Sequence, residues 1–477
     1  MKYQSKVMTV YIFSLFMTVI DGTMVNVALP TMAEDFGVPT TEIEWVALGY
    51  LLALAAVIPA AGWLGDRFGT KRIFLIALVI FVSTSLLCAL SQSLAQLVGF
   101  RVLQGVGGGL LTPVGGAMLY RAFSMEDRAK AAIGVLSVTV IAPAVGPVLG
   151  GLIVDQASWQ WIFYINVPIG ALAFVLSALW LRETVQPDPG GFDAAGFVLS
   201  VAAVSLLLYT LSIGPQEGWT STTTLAFGIA GVASLIAMIV VELHVDQPLI
   251  ALRLLRDHLF RTINIASTMI YAGFFGLVFV LPLYMQSLRG FTALESGLAQ
   301  APQAVGVFLV ANLLGRRLYR IVGPRRLMVV GTAATSLITC CYALAGLDTP
   351  LSQIAGLSFL RGLAVGMVFV SIQTAAYGTT SIADTGRATS LFNTQRQIAY
   401  AFGVALAATV IASKLASVGG DSAPAAEQLG AYQAGFLAVG LIMAPAAIVS
   451  WFIDDDDVAA TRGLAPKVPV AAQTAPA

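Results

Sequence analysis

Residues 62–72 read Gly62-Trp63-Leu64-Gly65-Asp66-Arg67-Phe68-Gly69-Thr70-Lys71-Arg72, with four ionic side chains and three glycines set between two apolar runs. Each flanking run is about 20 residues long, enough helix to cross a hydrocarbon core. Soluble chains seldom place a charged, glycine-punctuated turn between two such runs, so the stretch reads as a tight loop joining two membrane-crossing helices. The rest of the chain agrees. Of its 477 residues 58% are hydrophobic and 10% charged, against roughly 25% charged in a soluble domain. A formal net charge of +0 argues against a nucleic-acid partner. Cys88, Cys340 and Cys341 all sit in apolar stretches, so buried, inert thiols are expected rather than a disulfide framework.

Counting apolar runs of spanning length gives about fourteen helices. They are expected at 8–29, 43–64, 73–91, 95–119, 131–154, 161–181, 194–213, 223–243, 262–285, 294–314, 326–346, 351–376, 390–413 and 432–453. The first run is too long for a signal-peptide core and no small-residue cleavage site follows it, so it reads as a retained helix. The central pair, parted by Gly214-Pro215 and the Trp219 region, is the least apolar, and twelve spans would result if it were split wrongly.

Basic residues set the orientation. With the N-terminus inside, the hinge residues Arg67, Lys71 and Arg72 and the basic groups of 121–130, 253–261 and 316–326 all fall on the cytoplasmic side. Arg289 and Lys414 fall outside, an asymmetry that the positive-inside rule favours. A faint internal repeat is also present. The hinge is echoed by Arg320-Ile321-Val322-Gly323-Pro324-Arg325-Arg326, and Phe100-Arg101-Val102-Leu103-Gln104-Gly105 by Leu360-Arg361-Gly362. The chain therefore divides into a six-helix bundle over 1–182, a two-helix insert with its cytoplasmic loop over 183–261, a second six-helix bundle over 262–453 and a disordered cytoplasmic tail over 454–477. Two similar halves around a midplane site is the plan of a secondary transporter.

Charge inside the spans is scarce, and so informative. Asp21 lies midway along the first span, where a carboxylate costs about 2.5 kcal/mol or more on insertion scales. Arg101, in the fourth span, is its natural counter-charge. Asp21 is expected to bind the coupling proton and Arg101 to adjust its affinity; the alternative is a structural ion pair locking two helices. Gly146, Pro147, Gly150 and Gly151 give the fifth span a bendable, closely packing face, suited to rocking or simply to packing. In the hinge, Gly62, Asp66, Arg67, Gly69, Lys71 and Arg72 form either a conformational latch, with Asp66 pairing to neighbouring helix ends, or a purely topogenic loop. Met17, Asn26, Tyr50, Gln104, Arg361, Asn393, Arg396 and Gln397 are the polar and adaptable residues expected along a substrate cavity. Phe274, Phe275, Phe279 and Tyr284 could meet an aromatic substrate, lipid or neighbouring helices. Glu242 and Asp155, at helix ends, are expected to be solvated anchors.

Four segments carry a family resemblance. Ile20-Asp21-Gly22-Thr23-Met24-Val25-Asn26-Val27-Ala28-Leu29-Pro30, the hinge, residues 97–109 with Arg101 and Gln104-Gly105, and Gly146-Pro147-Val148-Leu149-Gly150-Gly151 resemble signatures of the major facilitator superfamily, in its fourteen-span drug:proton antiporter branch. Thr70 stands where a basic residue is usual, with Lys71 and Arg72 to cover for it, and Ala142 stands where glycine is usual. Trp159-Gln160-Trp161-Ile162-Phe163-Tyr164-Ile165-Asn166-Val167-Pro168-Ile169-Gly170 is also similar to that branch. The second half matches by architecture alone. The resemblance implies an all-α integral membrane protein with the major facilitator fold, monomeric, in a bacterial cytoplasmic membrane with both termini inside. It also implies proton-coupled efflux of small amphiphilic or cationic drugs.

Absences narrow the field. No Gly-Lys-Ser/Thr phosphate loop, His-Glu-x-x-His or Gly-x-Ser-x-Gly pattern occurs, and the two histidines, His244 and His258, share one loop. No enzyme activity, metal or cofactor is expected, with protons as the coupling ion. The partners are small-molecule substrates and the bilayer, and an accessory export protein is a further candidate. A dedicated exporter of one endogenous solute, such as a siderophore, amino acid or lipid precursor, is the second reading. A membrane sensor or intramembrane enzyme is the third, and has neither an output domain nor a reactive cluster to support it.

Overall fold

The computed structural model describes residues 2–457 apart from 39, 44, 125–126, 187–190, 246–251, 312–314, 377, 381–383, 420–422 and 455–456. The expected tail beyond 457 lies outside the described residues. In the first half the helices are α1 (Tyr3–Phe36), α2 (Thr40–Ile43), α3 (Trp45–Phe68), α4 (Thr70–Ala89), α5 (Leu94–Ala122), α6 (Arg128–Gln156), α7 (Trp161–Tyr164) and α8 (Asn166–Trp180). The insert supplies α9 (Ala194–Glu217) and α10 (Thr222–His244). The second half holds α11 (His258–Leu283), α12 (Ala293–Leu309), α13 (Gly315–Val322), α14 (Pro324–Cys341), α15 (Leu351–Ala375), α16 (Thr385–Ser417), α17 (Ala425–Leu441) and α18 (Ala444–Trp451).

Twelve helical stretches among the described residues are long and apolar enough to cross a membrane. The expectation of fourteen exceeds that by the segments 131–154 and 294–314. The first falls within α6, of 29 residues, and the second overlaps α12, of 17. Several helices outrun the expected spans. With 34 residues, α1 is about 51 Å long, more than the roughly 30 Å of a hydrocarbon core requires.

The hinge forms because Gly69 takes φ 99°, a backbone conformation that L side chains rarely adopt, letting α3 turn straight into α4. Its echo behaves alike: Gly323 takes φ 87° immediately before α14. The same turn is thus built twice from two halves of one chain.

Within the first half α3 and α4 pack on α5, and α1 on α6 and α8; within the second, α12 and α14 pack on α15, and α11 and α17 on α16. The halves meet where α6 touches α12 and α15, and where α3 and α5 touch α16. From the insert, α9 packs on both α3 and α16, whereas α10 leans on α9 and leaves Ile229, Ile236 and Leu243 exposed. Such an all-round apolar surface suits lipid contact. Glu242 departs from the expected solvated anchor: it is buried, close to Asp193 across Gly196, where α10 crosses α9.

Candidate functional site

The centre of the first half is polar and sealed. Asp21 on α1 and Arg101 on α5 are 0% and 1% exposed, and Arg101 Nη1 lies 2.6 Å from Asp21 Oδ2. The guanidinium also donates to Gln104 Oε1 at 2.7 Å and, through Nε, to the Val46 carbonyl at 3.1 Å. It stacks 4.1 Å from the centre of the Tyr50 ring. The other carboxylate oxygen, Asp21 Oδ1, accepts from Gln104 Nε2 at 3.2 Å and Asn166 Nδ2 at 2.7 Å. One carboxylate thus ties α1 to α5 and α8, while the arginine adds α3. A buried pair is tolerable only when its remaining lone pairs and protons find partners in this way.

Asn166 was missed by sequence reasoning, although a lone amide in an apolar run before Val167-Pro168 was a visible signal. Its Nδ2 also donates to Ser85 Oγ at 3.1 Å, and Ser85 donates to the Phe163 carbonyl, anchoring the network to α4. Asn166→Leu is expected to slow gradient-driven transport about tenfold at equal protein level, because a hydrogen bond to a charged group contributes about 1.5–3 kcal/mol. Initial uptake rates in everted vesicles check this, and an unchanged rate removes Asn166 from the site.

A second cluster lies at the hinge end of the bundle, where α3 meets α4. Arg121 Nη2, at the close of α5, pairs with Asp66 Oδ1 at 2.7 Å. The pair faces the first turn of α16: a methyl on Gly386 would sit 3.3 Å from Asp66 Oδ2 and 3.4 Å from Arg121 Nη2. Asp66 therefore meets the positive end of a helix from the other half. Gly62 N donates to Ser390 Oγ across the same seam at 3.2 Å. Lys71 and Arg72 are held by Glu183, whose carboxylate accepts from Lys71 N at 3.0 Å and Arg72 N at 3.2 Å at the start of α4 and occupies the place a side chain on Gly69 would take. Arg67 points outward, exposed. Glu183 lies in the linker to the insert and gave no sequence signal.

Gly146 and Gly150 seat α6 on α1. A side chain on Gly146 would overlap Thr23 Oγ1, and one on Gly150 would lie 3.2 Å from Met24 Cα. This glycine face thus rides on the residues directly after Asp21. Gly151 faces open space, and Pro147 falls within α6.

The expected cavity residues scatter. Gln397 lines a cleft of about 490 Å³ between α3, α9, α11 and α16. Asn393 and Arg396 line a void of about 20 Å³ with Tyr11 and Gln373 between the halves. Tyr50 and Gln104 belong to the Asp21 network, and Met17 is core, packed near Gly170. Asn26 is exposed. Arg361 is the internal echo of Arg101, equally buried, but its partners are neutral: Gln303 Oε1, Thr339 Oγ1 at 3.2 Å and the Phe274 carbonyl at 3.4 Å. No cluster of His, Cys, Asp and Glu among the described residues could hold a metal.

The family model of the Major Facilitator Superfamily matches residues 11–404 and again 263–475. The chain belongs to the major facilitator superfamily. It is therefore a multi-pass membrane transporter rather than an enzyme. Among its relatives is the "Multidrug transporter protein MdtP" of Bacillus subtilis, 30% identical over 84% of this chain and 74% of that one. Another is the "Multidrug export protein EmrB" of Haemophilus influenzae, 32% identical over 82% and 77%. A solved structure of the human organic anion transporter MFSD10 superposes with a TM-score of 0.66 over 94% of this chain and 99% of that one; at 14% identity it speaks for the fold alone.

Proposed function

We propose that this chain is a proton-driven exporter of small amphiphilic compounds, with fourteen spans in a bacterial cytoplasmic membrane and both termini inside. The single observation that carries the reading is the sealed Asp21–Arg101 pair, a carboxylate retained in mid-span where burial is costly. Relatives named as multidrug exporters support the direction and breadth of transport.

The geometry suggests how a proton could drive the cycle. Ionised Asp21 gathers Arg101, Gln104 and Asn166 and so holds α1 against α5 and α8. A proton on the carboxyl removes the charge that Arg101 faces and turns one acceptor oxygen into a donor, which loosens that hold. Freed of it, α1 can shift along the glycine face of α6. At the hinge end the Asp66–Arg121 pair against α16 holds the halves closed until that shift strains it. The described arrangement, shut at the hinge end with a cleft toward the other end, fits the outward-facing stage.

Everted vesicles loaded with this protein test the reading. Imposing a proton gradient, acid inside, is expected to drive uptake of a fluorescent amphiphilic dye, and an uncoupler to collapse it. Uptake that ignores the uncoupler rules out proton coupling, and no uptake of any of several dyes points to the dedicated single-solute exporter instead.

A further inference from the structure

The sealed network around Asp21 is covered unevenly. On the α3 and α5 side Arg101 Nη1 lies 2.6 Å from Asp21 Oδ2, with the Tyr50 ring stacked on the guanidinium. Leu51, next to Tyr50, lines the cleft between α3, α9, α11 and α16, so that cleft lies on the cation's side. On the α4 and α8 side the described groups are neutral. Asn166 Nδ2 is 2.7 Å from Asp21 Oδ1, Ser85 Oγ is 3.1 Å behind the amide, and the Cys88 thiol donates to Gln104 Oε1 at 3.8 Å. A proton approaching past Arg101 meets a full positive charge in a low-dielectric surround, whereas one approaching past Ser85 and Asn166 does not.

That neutral side backs onto a pocket of about 570 Å³, open between α1, α4, α6 and α7. Its α4 wall is Ala89, one helical turn, about 6 Å of axis, beyond Ser85. Its α7 wall is Tyr164, and the preceding residue, Phe163, supplies the carbonyl to which Ser85 donates at 3.0 Å. From α1 come Thr31 and Asp35, the latter exposed and accepting from Trp159 Nε1 at 2.8 Å. A carboxylate on the wall of such a pocket raises the local concentration of protons. The pocket shares no lining residue with the cleft between α3, α9, α11 and α16.

Between Ser85 and the carboxylate stands one amide. Ser85 Oγ and Asp21 Oδ1 lie 3.1 and 2.7 Å from the same Asn166 Nδ2, so at most about 5.8 Å parts them, a gap that one water spans. Asn166 Oδ1 is buried without a hydrogen-bond partner among the described residues. Buried polar atoms of this kind are rare unless a water or a second arrangement satisfies them. A swing of the side chain does so: Oδ1 accepts from the water that enters, and the way to Asp21 opens.

We propose that the coupling proton reaches Asp21 from this pocket by way of Ser85, with Asn166 as the gate, on the face of the carboxylate turned away from Arg101. A hydronium in the pocket gives a proton to Ser85 Oγ, the hydroxyl passes its own hydrogen to the water beside Asn166, and that water passes one to Asp21 Oδ1. Ser85 and the bridging water end as they began, the hydronium is left as water, and the carboxylate becomes a neutral carboxyl. The inference rests on the exporter reading and its orientation, which put the pocket on the outer side, where an outward-facing carrier takes up its proton.

Right-side-out membrane vesicles preloaded with a fluorescent amphiphilic dye test it. Thr31→Cys and Tyr164→Cys place thiols on two walls of the pocket. Trimethylammonium-ethyl methanethiosulfonate, which does not cross the bilayer, modifies them from outside, with the wild type as the control for native cysteines. Modification should abolish dye release driven by acid outside, leave dye exchange at equal pH intact, and be reversed by a reductant. Acid-driven release that survives modification of both variants, confirmed by mass spectrometry, or exchange lost together with release, would overturn the proposal. A second measurement needs no transport. In infrared spectra of the purified full chain after an acid jump, the carboxyl band that Asp21→Asn removes should rise later in Ser85→Ala and in modified Tyr164→Cys than in the wild type, to the same final height. A band that rises equally fast in all three sinks the route and leaves the exporter reading standing. A delayed band, with no acid-driven release from unmodified wild-type vesicles, sinks the exporter reading alone.

Discussion

Asp21→Asn is expected to abolish proton-coupled transport, lowering gradient-driven uptake about a hundredfold or more, a loss of roughly 2.7 kcal/mol or more in driving the cycle. Asparagine keeps the shape of the carboxylate and can still accept from Asn166, yet it cannot bind and release a proton at working pH. The substitution also leaves Arg101, 1% exposed, without its counter-charge. Removing one partner of a buried pair costs about 3–5 kcal/mol. Here the cost should fall at the lower end, because Gln104 Oε1 and the Val46 carbonyl still accept from the guanidinium. Two measurements separate the effects. Thermal unfolding should show Asp21→Asn destabilised and Asp21→Asn/Arg101→Gln largely recovered, since the orphaned charge is gone. Vesicle uptake should remain absent in both. Wild-type uptake rates in Asp21→Asn would make the pair structural, a lock between α1 and α5, and would move the proton site elsewhere.

Gly62→Val is expected to trap the carrier with its hinge end open. A Cβ at Gly62 would lie 2.9 Å from the Gly386 carbonyl oxygen and 3.0 Å from Ser390 Oγ. The first of these is backbone, which cannot rotate away. Overpacking of this kind costs about 1–3 kcal/mol, and only in the state where α3 and α16 touch. As a differential between two conformations that is a population shift of about 5–150-fold. Spin-label distances measured across the hinge end should lengthen, and uptake should fall about tenfold or more while the protein remains folded. A hinge end that stays closed at the wild-type distance would mean that the seam between α3 and α16 does not gate the carrier.

Both variants bear on how much could be read in advance. Asp21 and Arg101 were legible because a charge in a long apolar run is locally conspicuous and expensive. Asn166 and Glu183, which complete the hydrogen-bond network around Asp21 and the hinge, were not. An amide or a carboxylate near a helix end is common, and only its partners, 145 residues away for Asp21–Asn166 and 112 for Lys71–Glu183, give it meaning. The expected cavity set is dispersed for a related reason. Polar residues in spans were assumed to face one central space, yet Tyr50 and Gln104 turn toward Asp21, and Arg361 toward Gln303 and Thr339. The cleft itself is lined mostly by leucines and alanines, which no sequence reading distinguishes from residues facing lipid.

The sequence by itself determined that this is a helical membrane transporter, and it singled out Asp21, Arg101 and the hinge. Those features are written within single helices, in run length, charge cost and glycine placement, and water or lipid acts on them residue by residue. The tertiary structure decided which helices touch at which end, that α9 walls an apolar cleft, and that Arg361 meets neutral partners where its counterpart meets a carboxylate. Those depend on side chains far apart in the chain meeting at one depth and rotation, and close packing selects that register only when all the helices are present at once.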